Sequence, residues 1–261
     1  MGIKSALKHM LPARVQDLCV RSRVRKIQSQ YQSLGLADVF TKIYESGAWG
    51  VGAADGMPHS GSGSRGRYVE QWCSLLETQL RVYKVTTIAD LGCGDLTVGA
   101  IIARMGHALT GVDVVQSVID WNRRTHTSEC VRFVRADLTS DPLPHASAAI
   151  VRQVLQHLTN SEVDAALANI LRTYPLAFIT EHVYTGPNCV ANVDMHHGPG
   201  TRVSMFSGVF IDHHPFNVPA KCLRDIAVGP KEALRTWVVE SRSRYSQVIA
   251  GLPRGGTRAN A

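Results

Sequence analysis

The sequence lacks any run of about 18 consecutive apolar residues, which excludes a bilayer-spanning helix. It also lacks a Cys-x-x-Cys pair: Cys19, Cys73, Cys93, Cys130, Cys189 and Cys222 lie far apart. A disulfide scaffold or a thiolate zinc centre needs clustered cysteines, so the spacing points to reduced thiols in a cytoplasmic setting. Aromatic residues are few (7%) and charged ones modest (19%). Hydrophobic residues nevertheless make up 44% of 261, enough for one sizeable core and too many for whole-chain disorder.

Net charge of one sign is also scarce once it is located. The chain carries +7, but residues 1–26 hold Lys4, Lys8, Arg14, Arg21, Arg23, Arg25 and Lys26 against Asp17, or 7 − 1 = +6. The other 235 residues contain 21 basic and 20 acidic side chains. A near-neutral body with a basic leading segment argues against a nucleic-acid groove.

That leading segment places Ile3, Ala6, Leu7, Met10 and Leu11 at helical spacing, continued after Pro12 by Val15, Leu18 and Cys19. It has no unbroken apolar stretch for a secretory signal, and Ala6 stands where a myristoylation signal needs Ser or Thr. Three readings stay open: a basic amphipathic helix on an anionic membrane or partner, an organelle transit peptide, or a plain surface helix.

Residues 46–66 hold seven of the 22 glycines and four serines, with Trp49 and Arg65 among them. Such a stretch reads as a loop that orders over a ligand at least as well as a linker. Residues 67–84 read as a helix with Tyr68, Trp72, Leu75, Leu76 and Leu80 on one face. From Val85 short apolar strands (85–91, 108–112, 131–134, 146–151, 176–180) alternate with helices (96–105, 116–124, 161–174). That rhythm means a parallel sheet covered on both faces. It breaks over 183–219, rich in Gly, Pro, His and Asn, and a strand returns near 235–239.

Ile88-Ala89-Asp90-Leu91-Gly92-Cys93-Gly94-Asp95-Leu96 is an apolar strand ending in an acid, then a glycine turn into a helix. Backbone amides of such a turn approach a ligand closely. Asp113 ends the next strand, 19 residues after Gly94, where a carboxylate accepts from ribose hydroxyls. Asp137 follows the third strand, where it can accept from an adenine amine. Three acids at three strand ends line the ligand edge of the sheet. Ordinary helix caps account for single aspartates there, and a nicotinamide-type turn would need glycine where Thr97 stands.

Through D-L-G-C-G-D (90–95), G-V-D (111–113), A-D-L (136–138) and Q-V-L-Q-H-L (153–158), the sequence resembles class I S-adenosylmethionine-dependent methyltransferases over roughly residues 86–182. F-T-K-I-Y (40–44), Trp49-Gly50 and S-G-S-G-S-R (60–65) look like the N-terminal region of bacterial small-molecule and sugar methyltransferases, and P-F-N-V-P (215–219) more weakly so. The resemblance implies an α/β, Rossmann-like, mostly parallel seven-stranded sheet with helices on both faces and an N-terminal helical extension. It implies S-adenosylmethionine as cofactor, with Asp90, Gly92 and Gly94 at its methionine part and Asp113 on the ribose. Asp137 and Leu138 would lie by the adenine, with Trp49 and Arg65 closing over the cofactor. Asp95-Leu96 replaces a third glycine of that pattern, and Ser147-Ala148 opens strand four where many relatives carry an acid.

The expected organisation is 1–35 basic helix, 36–84 helical and glycine-rich lid, 85–250 catalytic core with insertion 183–219, and 251–261 tail. A hydroxyl acceptor benefits from a general base, for which histidine is the usual choice. His182, His157, His196 and Asp194 are the leading candidates, with Glu181, His197, Asp212, His213 and His214 behind them. The D-M-H-H and D-H-H clusters have poor metal-ligand spacing, and no metal is assigned. The expected partner is a small-molecule or glycan substrate, with contact of residues 1–26 with the inner membrane face as one of the open readings. An RNA methyltransferase and a non-catalytic cofactor-binding scaffold of a membrane-associated complex stand as the alternatives.

Overall fold

The computed structural model describes residues 31–53 and 56–241. The expected helix within 1–35 falls mainly, and the tail at 251–261 wholly, outside the described residues. The sheet is built from β1 (Thr87–Leu91), β2 (Ala108–Asp113), β3 (Val131–Arg135), β4 (Ala148–Arg152), β5 (Leu176–Tyr184), β6 (Lys221–Gly229) and β7 (Glu232–Glu240). Their order across it is β3-β2-β1-β4-β5-β7-β6. The first five strands are parallel, and β7 inserts antiparallel between β5 and β6. This is the seven-stranded, mostly parallel architecture expected from the sequence.

The helices are α1 (Leu36–Glu45), α2 (Arg67–Val82), α3 (Gly99–Arg104), α4 (Gln116–His126) and α5 (Asn160–Thr173). Successive strand residues point to opposite faces, so each strand feeds two cores. Ala89, Leu91, Val151 and Ile179 pack with Val39 and Ile43 of α1 and Val163 and Ile170 of α5. Ile88, Ile150 and Phe178 pack with Trp72, Leu76 and Leu80 of α2 and Ile102 of α3. Trp72 is fully buried and its indole N–H donates to Thr180 Oγ1 at 2.8 Å, so truncating it to alanine costs about 3–5 kcal/mol. Helix α5 starts on a capping box: Thr159 Oγ1 accepts from Glu162 N and Glu162 Oε2 accepts from Thr159 N.

Helix α3 begins at Gly99, three residues later than its apolar pattern suggests, because Leu96 has φ +58° and ends the turn in a left-handed conformation. The third glycine of the motif falls at this residue, and burial of Leu96 in the α3 core offsets the strain there. Strand β6 is the one strand absent from the sequence pattern. It is an edge strand whose Lys221, Cys222, Arg224, Asp225 and Ala227 are exposed, so no apolar alternation marks it. Among the described residues no helix is long and apolar enough to cross a membrane.

Candidate active site

Chain order runs outward from β1 through β2 to β3, then returns to place β4 on the other side of β1. A crevice opens at such a switch point, outside the carboxyl ends of the strands. Here it is a cavity of about 810 Å3, within the roughly 300–1,000 Å3 of small-molecule sites. Trp49, Arg65, Asp90, Gly92, Gly94, Asp113, Asp137, Leu138, His157 and His182 all line it. Asp194 and His196 do not. Asp194 Oδ1 accepts from Asn160 N (2.8 Å) and Met195 N (2.9 Å), a loop-anchoring role, and His196 lines a separate 230 Å3 hollow.

The glycine turn fixes the floor. Gly92 has φ +77°, and a Cβ there would meet Val154 Cγ2 at 2.4 Å. Gly94 has φ +52°, and a Cβ there would meet Ser60 Oγ at 2.1 Å. Asp113 accepts from Gly94 N through Oδ2 and from Val115 N through Oδ1, both at 3.0 Å. A carboxylate offers about four lone-pair directions, so each oxygen keeps capacity for a ribose hydroxyl. Burial raises the Asp113 carboxyl, opposed by the amides of Val115 and Gly94. Asp137 spends Oδ1 on Thr139 N and Oγ1, and among the described residues Oδ2 has no hydrogen-bond donor. Asp90 is pushed up to about 7 by burial, with Arg152 opposing and Asp113 reinforcing the shift. These donors and acceptors fit a nucleoside with a cationic amino-acid arm.

The serine-glycine loop closes one wall. Ser60 N and Arg65 Nη2 donate to Asp95 Oδ2 at 3.1 and 2.8 Å, and Thr97 N donates to Oδ1. Burial would raise the Asp95 carboxyl, but the hydrogen bonds from Ser60, Thr97 and Arg65 prevail and hold it below the usual range. On the opposite side Arg152 Nη2 donates to the Gly63 carbonyl at 2.8 Å, and its guanidinium lies 5.2 Å from the centre of the Trp72 ring. Burial lowers Arg152 to about 10. Neither Arg152 nor Asp95 carries a site signal in the sequence, since neither is an acid at a strand end or a histidine.

His157 sits on the turn after β4, its ring 4.9 Å from that of Trp49. Its Nδ1 lies 2.9 Å from the Gly200 carbonyl. A carbonyl only accepts, so Nδ1 carries the proton and Nε2 keeps its lone pair. That lone pair faces the Gln156 amide nitrogen at 3.2 Å. Burial lowers His157 to about 4, so the imidazole is neutral at physiological pH. His182 Nε2 donates to Glu232 Oε2 at 2.9 Å, joining β5 to β7 in the cavity lining. Burial also lowers His182, with Glu232 opposing.

The other candidates have structural roles or lie on the surface. Glu181 is wholly buried and accepts from Val154, Leu155 and Gln156 amides. His197 bridges Glu162 Oε1 and the Tyr31 carbonyl, while Asp212 and His213 pair outside the cavity. Ser147 lies at the amino end of β4, bonded to Thr86, Thr87 and the start of β1. An acid there would sit at the wrong end of the strand, so its absence removes no carboxylate from the site. Among the described residues no three His, Cys, Asp or Glu side chains gather as a metal site.

Residues 88–174 match the family model of a methyltransferase domain. No curated protein sequence matches the chain. Human N-acetylserotonin methyltransferase in complex with S-adenosylmethionine shares the fold at 16% identity, over 81% of this chain and 62% of that one, with a TM-score of 0.50. The N-terminal domain of EvdMO1 with S-adenosylhomocysteine bound matches at 15% identity over 67% of this chain and 82% of that one, with a TM-score of 0.47. The methyltransferase domain of bacterial CtHen1 matches at 14% identity over 66% and 98%, with a TM-score of 0.49.

Proposed function

We propose that the class I S-adenosylmethionine-dependent methyltransferase core of this chain transfers a methyl group to a hydroxyl of a small molecule, sugar or glycan intermediate. The observation that carries this reading is the His157 imidazole in the cavity lining, with its proton fixed on Nδ1 by Gly200 and its Nε2 lone pair engaged by the Gln156 amide. The cofactor, when bound, supplies a methyl group activated on a sulfonium. Asp90 and the Gly92–Gly94 amides would hold its amino-acid arm, Asp113 its ribose and Asp137 its adenine edge. Trp49 and the 60–66 loop exclude water from the same space, where positioning does most of the catalytic work.

His157 Nε2 would take the acceptor hydroxyl's proton, in place of its bond from Gln156. Burial that keeps the ring neutral also makes it a weak base, so the proton leaves late, as the oxygen engages the methyl carbon. His182 and Glu232 line the same cavity and would bind a second polar group of the acceptor. The basic 1–26 segment would bring the enzyme to an anionic membrane face, which suits a lipid-linked acceptor.

The test is incubation with methyl-labelled S-adenosylmethionine and fractionated cell extract. Label in alkali-stable ethers of polar metabolites or lipid-linked sugars supports the reading. Label confined to RNA or protein contradicts it.

A further inference from the structure

Two fully buried ionisable side chains outside the reacting groups grip the turn that carries His157. At its amino end, Glu181 Oε1 accepts from Val154 N (3.3 Å) and Leu155 N (3.0 Å), and Oε2 from Gln156 N (3.0 Å). At its carboxyl end the Arg202 guanidinium donates to Leu155 O (3.4 Å), Gln156 O (3.2 Å), Leu158 O (2.7 Å) and Asn160 Oδ1 (3.0 Å). The same guanidinium donates through Nε to Val193 O at 2.9 Å, tying the turn to the irregular insertion. The free amides and carbonyls of a short turn are thereby satisfied at both ends without water.

The insertion also touches His157 directly. Gly198 N donates to His157 O at 3.0 Å, and Gly200 O accepts from the ring. Pro199 O, between them, accepts from Trp49 Nε1 at 3.2 Å, fixing the indole that lies tilted at 48° against the His157 ring. Residues 198–202 thus run as a strap along the His157 turn, and Arg202 is the rivet that sets its register. One planar guanidinium reaching five acceptors does what a lysine ammonium cannot.

We infer that Glu181 and Arg202 are positioning residues which hold the His157 ring against Gly200 and so keep its lone pair on Nε2. This rests on His157 as the base. The ring itself can be observed without any acceptor, so failure here is distinct from failure to find methyl transfer. The full-length protein is labelled with nitrogen-15 histidine and its imidazole nitrogens are assigned by comparison with His157→Gln. Wild type is expected to show His157 as a single Nδ1–H tautomer. Arg202→Met and Glu181→Gln, checked for folding and S-adenosylhomocysteine binding, are expected to show a mixture of both tautomers. Arg202→Lys keeps the buried charge and serves where Arg202→Met does not fold; it too should give a mixture. A single Nδ1–H tautomer retained in a folded Arg202 variant, or an Nε2–H tautomer in wild type, overturns the inference.

Discussion

Ser60 and Asp95 bond each other twice: Asp95 N–H donates to Ser60 Oγ at 2.7 Å, and Ser60 N–H donates to Asp95 Oδ2 at 3.1 Å. This reciprocal pair fastens the glycine-rich loop onto the cofactor turn. Asp95→Ala removes three hydrogen bonds accepted by its carboxylate, each worth about 1 kcal/mol net. Two of the three, from Ser60 and Arg65, hold loop 60–66, so its open fraction should rise roughly thirtyfold. Limited proteolysis in the loop checks this: cleavage should speed up in the variant and slow again with S-adenosylhomocysteine.

Asp90 gives cofactor binding a pH dependence. Burial pushes its carboxyl up to about 7, so it is largely protonated below that pH and ionised above it. A cationic ligand favours the anion, hence binding should release a proton near neutrality. Affinity for S-adenosylmethionine should climb between about pH 6 and 8, by at most about tenfold per pH unit. Calorimetry in two buffers of different ionisation heat reads the released proton, and Asp90→Asn should abolish it.

His157 predicts an acid limb in stability. Its folded pKa is about 4, against an ordinary value of 6.5, so between these values the unfolded chain binds more protons. Stability therefore falls as pH drops from 6.5 to 4, by up to about 3 kcal/mol from this residue. Urea unfolding at both pH values should show His157→Gln losing less than wild type over that window.

The basic leading segment is separable from the cavity in the proposed scheme. Deleting residues 2–26 should abolish flotation with vesicles containing anionic lipid while leaving S-adenosylhomocysteine affinity unchanged. Lost cofactor binding in a folded truncation would refute that division of labour.

Much of the fold was legible because β1, β2, β4 and β5 are buried over most of their length and read as short apolar runs, while β3 alternates buried Val131 and Phe133 with exposed Arg132. Strand β6 was not, since an edge strand with Lys221, Arg224 and Asp225 facing solvent carries no such signal. The acids at strand ends were legible from spacing alone, and Asp90, Asp113 and Asp137 all reach the cavity. Histidines were harder. Four of them crowd residues 196–214, at 196, 197, 213 and 214, yet the histidines that line the cavity are His182 and the more distant His157. Which loop histidine faces a cavity depends on tertiary register, set here by Arg202, a residue whose neighbours in sequence give no hint of five acceptors around it. Glu181 looked like a base and serves instead as the cap of the His157 turn.

The most direct test is to identify the atom that receives the methyl group. Isotope-labelled S-adenosylmethionine, the full-length enzyme and a polar-metabolite or lipid-linked-sugar fraction are combined, and the product is examined by carbon NMR. The account predicts a signal in the methoxyl range that is lost with His157→Gln while S-adenosylhomocysteine still binds. A signal in the N-methyl or S-methyl range, or methoxyl formation at an undiminished rate in His157→Gln, would contradict it.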